Sequence, residues 1–190
     1  MPTLLGLLTL TATVATWRVP FEAKDRARLD GLSVISTFGA PRESYVRGHL
    51  HTAVDLVPRP ARSGARVFPV APGRVVSIHL GDPHRTVVLE HDAARGEPRY
   101  TSYKHLARIA VVEGQAVDVD TALGRLYTRA EARAQGGNYD HLHFEARTRF
   151  DDEGAASWTT MTRAELDARF LDPLPLLRAK LVDGRAPRRR

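Results

Sequence analysis

From Leu32 onward the chain is a succession of short apolar, β-branched runs, each broken within a few residues by turn formers. Leu32 to Ser36 stops at Phe38-Gly39-Ala40-Pro41, Arg66 to Val70 at Ala71-Pro72-Gly73, and Arg74 to His79 at Gly81-Asp82-Pro83. Thr86 to His91 gives way to a loop reaching Pro98. Tyr100 to Leu106, Ile109 to Val112, Ala122 to Tyr127 and His141 to Thr148 complete the set. Strands of this length separated by frequent turns predict a mainly β fold, a compact antiparallel sandwich or barrel. Thr128-Arg129-Ala130-Glu131 and Thr162-Arg163-Ala164-Glu165 each have capping-box form. One or two short helices are therefore predicted, the first stopping at Gly136-Gly137 and the second before Asp172-Pro173.

At 190 residues with 43% hydrophobic content, the chain suits one domain with appendages. Cysteine is absent, so disulfides and thiolate metal sites are excluded, and any metal must be held by His, Asp or Glu. Of the formal charge of +6, Arg185, Arg188, Arg189 and Arg190 supply a large share. The remaining body is close to neutral, and no nucleic-acid groove is indicated. Residues 1–17 carry no charged side chain and read as a possible export segment, with Thr13-Val14-Ala15 as a small-residue cleavage site. That stretch is too short for a transmembrane span of about 20 residues.

The chemistry gathers in two places. His141-Leu142-His143 lies late in the folded part, and His51-Thr52-Ala53-Val54-Asp55 lies well upstream. Three nitrogen and oxygen ligands with an open position are what a catalytic zinc needs. On a strand, His141 and His143 point to one face about 6–7 Å apart, so one can bind metal while the other stays free as acid or base. Residues four apart on a flat strand lie about 13 Å from each other. The segment from His51 to Asp55 must therefore bend if both are to share a metal.

These residues resemble the lysostaphin/LytM-type zinc peptidases of family M23. The resemblance runs from about Ile35 to Arg147. It is carried by Ser36-Thr37-Phe38-Gly39, the His51 to Asp55 spacing, Gly64 to Val75, Tyr103-Lys104-His105-Leu106, Glu113 to Val117, and His141 to Glu145. It implies an antiparallel β fold of duplicated hybrid-motif type, with a zinc groove lying across a sheet. It also implies that His51, Asp55 and His143 bind Zn2+, that His141 is the catalytic histidine beside the metal, and that His105 is its partner across the cleft. Tyr45 matches a tyrosine that some members place near the scissile carbonyl. Members usually carry glycine where this chain has Ala53, which requires a negative φ there. They also have a short Gly-rich loop where this chain has the segment from Tyr127 to Asp140, an insertion expected to rim the groove.

Beside these candidates stand residues expected to be structural or exposed, namely His79, His84 and His91, with His49 as groove lining or surface, Asp140 as a loop carboxylate, and Glu145 as a strand-surface charge. Tyr103 is expected in the core or groove wall. The expected layout is a possible export segment (1–17), a lead-in (18–32), a peptidase domain (33–150), a C-terminal helix and packing segment (151–182), and a basic tail (183–190). The function the resemblance implies is zinc-dependent hydrolysis of peptide cross-links in peptidoglycan by an exported enzyme, and a monomer is expected. The rivals are an inactive relative that activates another wall hydrolase and a zinc endopeptidase acting on a protein.

Overall fold

The computed structural model describes residues 16–23, 26–43, 46–93, 98–150 and 160–181. Among them the strands are β1 (Leu32–Ser36), β2 (Pro41–Arg42), β3 (His49–Leu50), β4 (Val54–Pro58), β5 (Arg66–Val67), β6 (Gly73–His79), β7 (Thr86–Glu90), β8 (Tyr100–Lys104), β9 (Leu106–Ile109), β10 (Ala116–Val117), β11 (Gly124–Leu126), β12 (Leu142–Arg147) and β13 (Phe170–Leu171). The helices are α1 (Arg129–Ala134), α2 (Arg163–Arg169) and α3 (Pro173–Lys180).

The main sheet runs β1-β4-β12-β8-β7-β6-β10, with β13 paired to the far end of β12. A second sheet runs β5-β11-β9, and β2 pairs with β3 as a ribbon. Every strand pair is antiparallel. Among the described residues β1 and β10 end the main sheet without pairing to each other, so the sheet does not close and the barrel alternative is set aside.

The core draws on both sheets, which is what makes two layers of short strands stable. Val75, Val87, Leu89, Tyr103, Leu142 and Phe144 of the main sheet share one buried cluster with Val67, Leu106 and Leu126 of the smaller one. Residues 18–32 are more than a lead-in. Val19 and Phe21 are completely buried, and Phe21 bridges to Val67. Trp17 packs edge-on to Phe144 with ring centroids 6.0 Å apart, so this residue, assigned above to the export segment, belongs to the folded part. The rest of the expected export segment and the basic tail lie outside the described residues.

Both capping boxes form. Thr128 and Glu131 exchange side-chain and backbone hydrogen bonds at the start of α1, and Thr162 and Glu165 do the same for α2. Among the described residues there are three α-helices rather than the one or two expected. Asp172-Pro173, read as a stop, also starts a helix: the Asp172 carboxylate accepts from Leu174 N–H at 3.0 Å, and Pro173 occupies the first helical position. Among the described residues no helix is long and apolar enough to cross a membrane.

Candidate metal centre and active site

His51 precedes β4 and is pinned from both sides of its peptide. Its N–H donates to the Ala40 carbonyl at 2.9 Å, and its carbonyl accepts from Gly39 N–H at 2.8 Å. The chain bends at Ala53 before β4 begins at Val54. Ala53 is completely buried, and among the described non-glycine residues only His105 has a positive φ. The alanine therefore fits without the freedom of glycine. Asp55 on β4 stands directly opposite His143 on β12, and facing pairs in an antiparallel sheet sit close enough for their side chains to meet.

The bend and this pairing bring three ligand atoms together. His51 Nε2 lies 3.0 Å from Asp55 Oδ1 and 3.1 Å from His143 Nδ1, and His143 Nδ1 lies 3.3 Å from Asp55 Oδ1. The three residues each offer a ligand atom within 4.8 Å of the others.

The donor set suits a divalent metal. His51 donates its Nδ1–H to the Thr37 carbonyl at 2.9 Å, and His143 donates its Nε2–H to Glu145 Oε1 at 3.0 Å. The ring nitrogens left facing each other then both carry lone pairs, a juxtaposition that a shared cation relieves. Asp55 Oδ1 is buried and has no well-directed hydrogen bond, while Oδ2 accepts from the Arg42 guanidinium at 2.7 Å. Two imidazole nitrogens and one carboxylate oxygen, each backed by a hydrogen-bond partner, are the ligand types of catalytic zinc sites. Burial works against the Asp55 charge, but contacts from His141, His143 and His51 outweigh it and hold the carboxyl far below its usual range. Burial pushes the His51 imidazole down, keeping it neutral and able to ligate.

His141 and His105 stand beside this cluster. His141 donates its Nδ1–H to the Asn138 carbonyl at 2.8 Å, which turns Nε2 toward Asp55 Oδ1 at 3.5 Å. His105 falls between β8 of the main sheet and β9 of the smaller one, at φ +70°. A left-handed conformation in a non-glycine residue costs about 1–3 kcal/mol, which the flanking strands must sustain. The kink swings the ring into the groove, where its Nδ1–H donates to the Pro83 carbonyl at 2.8 Å and its centroid lies 4.9 Å from that of His141. Burial drives the His105 imidazole well below its ordinary value. Tyr45 lies outside the described residues.

Several residues here escaped the sequence reading. Glu145, expected as a surface charge, is completely buried. Its Oε1 accepts from His143 and from Thr52 Oγ1 at 2.7 Å, and its Oε2 accepts from Arg147 Nε and Nη2 at 2.8 and 2.6 Å. Strand alternation places it correctly beside His143, but alternation alone does not say what covers that face. Arg147, itself stacked over the Phe170 ring of β13, does the covering. Lys104, opposite His143 on β8, is buried as well. His84, expected to be structural or exposed, lies at the groove with ring centroids 5.6 Å from His105 and 5.8 Å from Tyr139.

The remaining candidates fall elsewhere. His91 is tied to the Pro72 carbonyl and Thr101, and Tyr103 is a core residue whose hydroxyl accepts from Val70 N–H. His49 bonds the nearby Val46 carbonyl, and His79 closes β6. Asp140 pairs with Arg129 at 3.0 Å.

The family model described as peptidase family M23 matches residues 47–156. Among curated proteins, none is a significant match by sequence. Of the solved structures, the antimicrobial peptidase lysostaphin from Staphylococcus simulans is similar with a TM-score of 0.57 and 17% identity, over 92% of this chain and 58% of that one. Its catalytic domain alone gives a TM-score of 0.52 at 18% identity, over 79% of this chain and 95% of that one. A chain in a complex of SpoIIIAH and SpoIIQ gives 0.54 at 18% identity, over 86% of this chain and 99% of that one. At these identities the structural likenesses speak for the fold. The chain spans little more than half the length of full lysostaphin.

Proposed function

The chain belongs to peptidase family M23, and from that membership we propose that it is a zinc-dependent endopeptidase hydrolysing peptide bonds in the cross-links of peptidoglycan. The observation that carries the reading is the convergence of His51, Asp55 and His143 on one point, with the His105 and His141 rings alongside.

In this reading His51 Nε2, Asp55 Oδ1 and His143 Nδ1 hold the ion. Zinc, when bound, supplies Lewis acidity that polarises a peptide carbonyl and acidifies water. His105 and His141 each commit Nδ1–H to a backbone carbonyl, which leaves each Nε2 free to take up a proton. Burial keeps His105 neutral near pH 7, with its Nε2 lone pair unprotonated. Between them the two imidazoles serve as general base and, once protonated, as hydrogen-bond donor to the developing oxyanion. Arg42 holds the outer oxygen of Asp55, and Glu145 holds the outer nitrogen of His143. Export to the periplasm, cell wall or medium belongs to the same proposal, since the substrate lies there.

A second reading, a partner-binding protein without catalysis, draws on the likeness to a chain from the SpoIIIAH and SpoIIQ complex. The filled set of five candidate positions favours the enzyme.

The test is mass spectrometry of muropeptides released from purified peptidoglycan by the zinc-loaded protein. New peptide ends that vanish with a chelator and in His141→Ala are expected, and they also identify the bond. A native protein that holds no zinc yet stimulates a second wall hydrolase would establish the partner-binding reading. Zinc binding with cleavage of non-wall peptides only would make the substrate a protein.

A further inference from the structure

The excursion between β11 and β12 is held in place at both ends. Its helix α1 starts on the Thr128 capping box and buries Ala132 completely. Glu131 takes a two-pronged ion pair from Arg125, with both bonds at 2.7 Å. Arg129 reaches past the helix to Asp140 at 3.0 Å, closing the excursion just before His141. A surface elaboration of no consequence would not need fastening at its start, middle and return.

What this fastening delivers is Asn138 and Tyr139. The Asn138 carbonyl accepts from His141 Nδ1. The Tyr139 ring lies 5.1 Å, centroid to centroid, from His105, and with His84 completes a three-ring cluster. On its other side the ring lies against Gly137, where an added Cβ would come within 2.6 Å of it. Glycine at this position lets the aromatic ring settle against the backbone, and the ring then stands against an imidazole whose own backbone is strained. Pro83 fixes one edge of His105 by a hydrogen bond, and the tilted rings of Tyr139 and His84 lie beside it.

We propose that this excursion is a positioning device for both groove histidines, with the ring of Tyr139 as the positioning residue that sets the orientation of His105 toward His141. The inference rests on the endopeptidase reading for its consequence in catalysis, though not for its geometry. Tyr139 acts through His105 by the packing of its ring. A misplacement of about 1 Å in a catalytic group can cost about 100-fold in rate.

The experiment uses the full chain loaded with zinc, as the parent, Tyr139→Ala, Tyr139→Phe and Gly137→Ala. Kinetics on a peptidoglycan peptide are paired with NMR of the histidine rings. Tyr139→Ala should lower kcat about 10- to 100-fold with KM little changed, while zinc content and melting temperature stay at the parent's values. The His105 ring resonances should move, and Tyr139→Phe should restore both kcat and the resonances. Gly137→Ala, which displaces the ring without deleting it, should resemble Tyr139→Ala and serves if that variant folds poorly. Unmoved His105 resonances in the displaced or deleted variants overturn the proposal, as does a phenylalanine variant no better than alanine. If the parent cleaves no peptide, the endopeptidase reading fails, and the resonances alone decide the positioning role.

Discussion

Glu145 holds His143 from behind: its Oε1 lies 3.0 Å from His143 Nε2, on the same strand face two residues further on. The carboxylate is fully buried and forked by Arg147, and burial, which opposes its charge, is outweighed by Arg147 and His143. One buried group thereby fixes which nitrogen of His143 faces His51 and Asp55.

Glu145→Ala should weaken zinc binding about 10- to 100-fold, read by competition with a chromophoric chelator. The same change takes from Arg147 the buried carboxylate it forks and should cost about 3–5 kcal/mol of stability in urea unfolding of the metal-free protein. Glu145→Gln retains an oxygen for the imidazole and should recover part of the affinity. Parent-level zinc binding in the alanine variant would remove Glu145 from the metal centre.

Zinc should stabilise the fold. With free zinc at about 100 times its Kd, linkage gives about 2.7 kcal/mol, visible as a raised Tm in calorimetry. Asp55→Ala should lose this increment, since it removes the only oxygen of the proposed ligand set. An equal rise in parent and variant would place the metal elsewhere.

The metal-free protein should be acid-labile. Burial lowers the His91 imidazole, and lowers His84 to about 4, so between about pH 6.5 and that value the unfolded chain binds more protons than the folded one. Stability therefore falls as pH drops through this window. The depressed Asp55 and Glu145 carboxyls extend the loss below about pH 4. Urea midpoints measured with chelator present should decrease between about pH 7.5 and about pH 5. His91→Gln should make that dependence shallower, and an unchanged slope would show that His91 is not held neutral.

Gly124→Ala should destabilise the smaller sheet. A Cβ at Gly124 would overlap the Arg108 carbonyl oxygen, across the β11–β9 pairing. Backbone has little room to yield, so a loss of about 1–3 kcal/mol is expected in denaturant unfolding.

Local patterns made most of the strands and two helices legible. Short apolar or β-branched runs marked β1, β6, β7, β8 and β12, and the capping boxes marked α1 and α2, because these signals act within a few residues. The ribbon of β2 and β3 was missed: two-residue strands carry too little pattern. So was α3, whose Asp172-Pro173 start also reads as a stop.

The sequence by itself determined the residue types and spacing from which the family resemblance and the candidate set of His51, Asp55, His105, His141 and His143 were read. Strand period alone put His141, His143 and Glu145 on one face. Tertiary structure decided what each of those side chains meets. The bend at Ala53 and the pairing of Asp55 with His143 bring distant ligands within reach. The left-handed turn at His105 carries its ring from the junction of two sheets into the groove. Arg147 and β13 turn an apparent surface carboxylate into a buried partner of His143. Spacing along the chain fixes which way a side chain points, and only packing fixes what lies there to receive it.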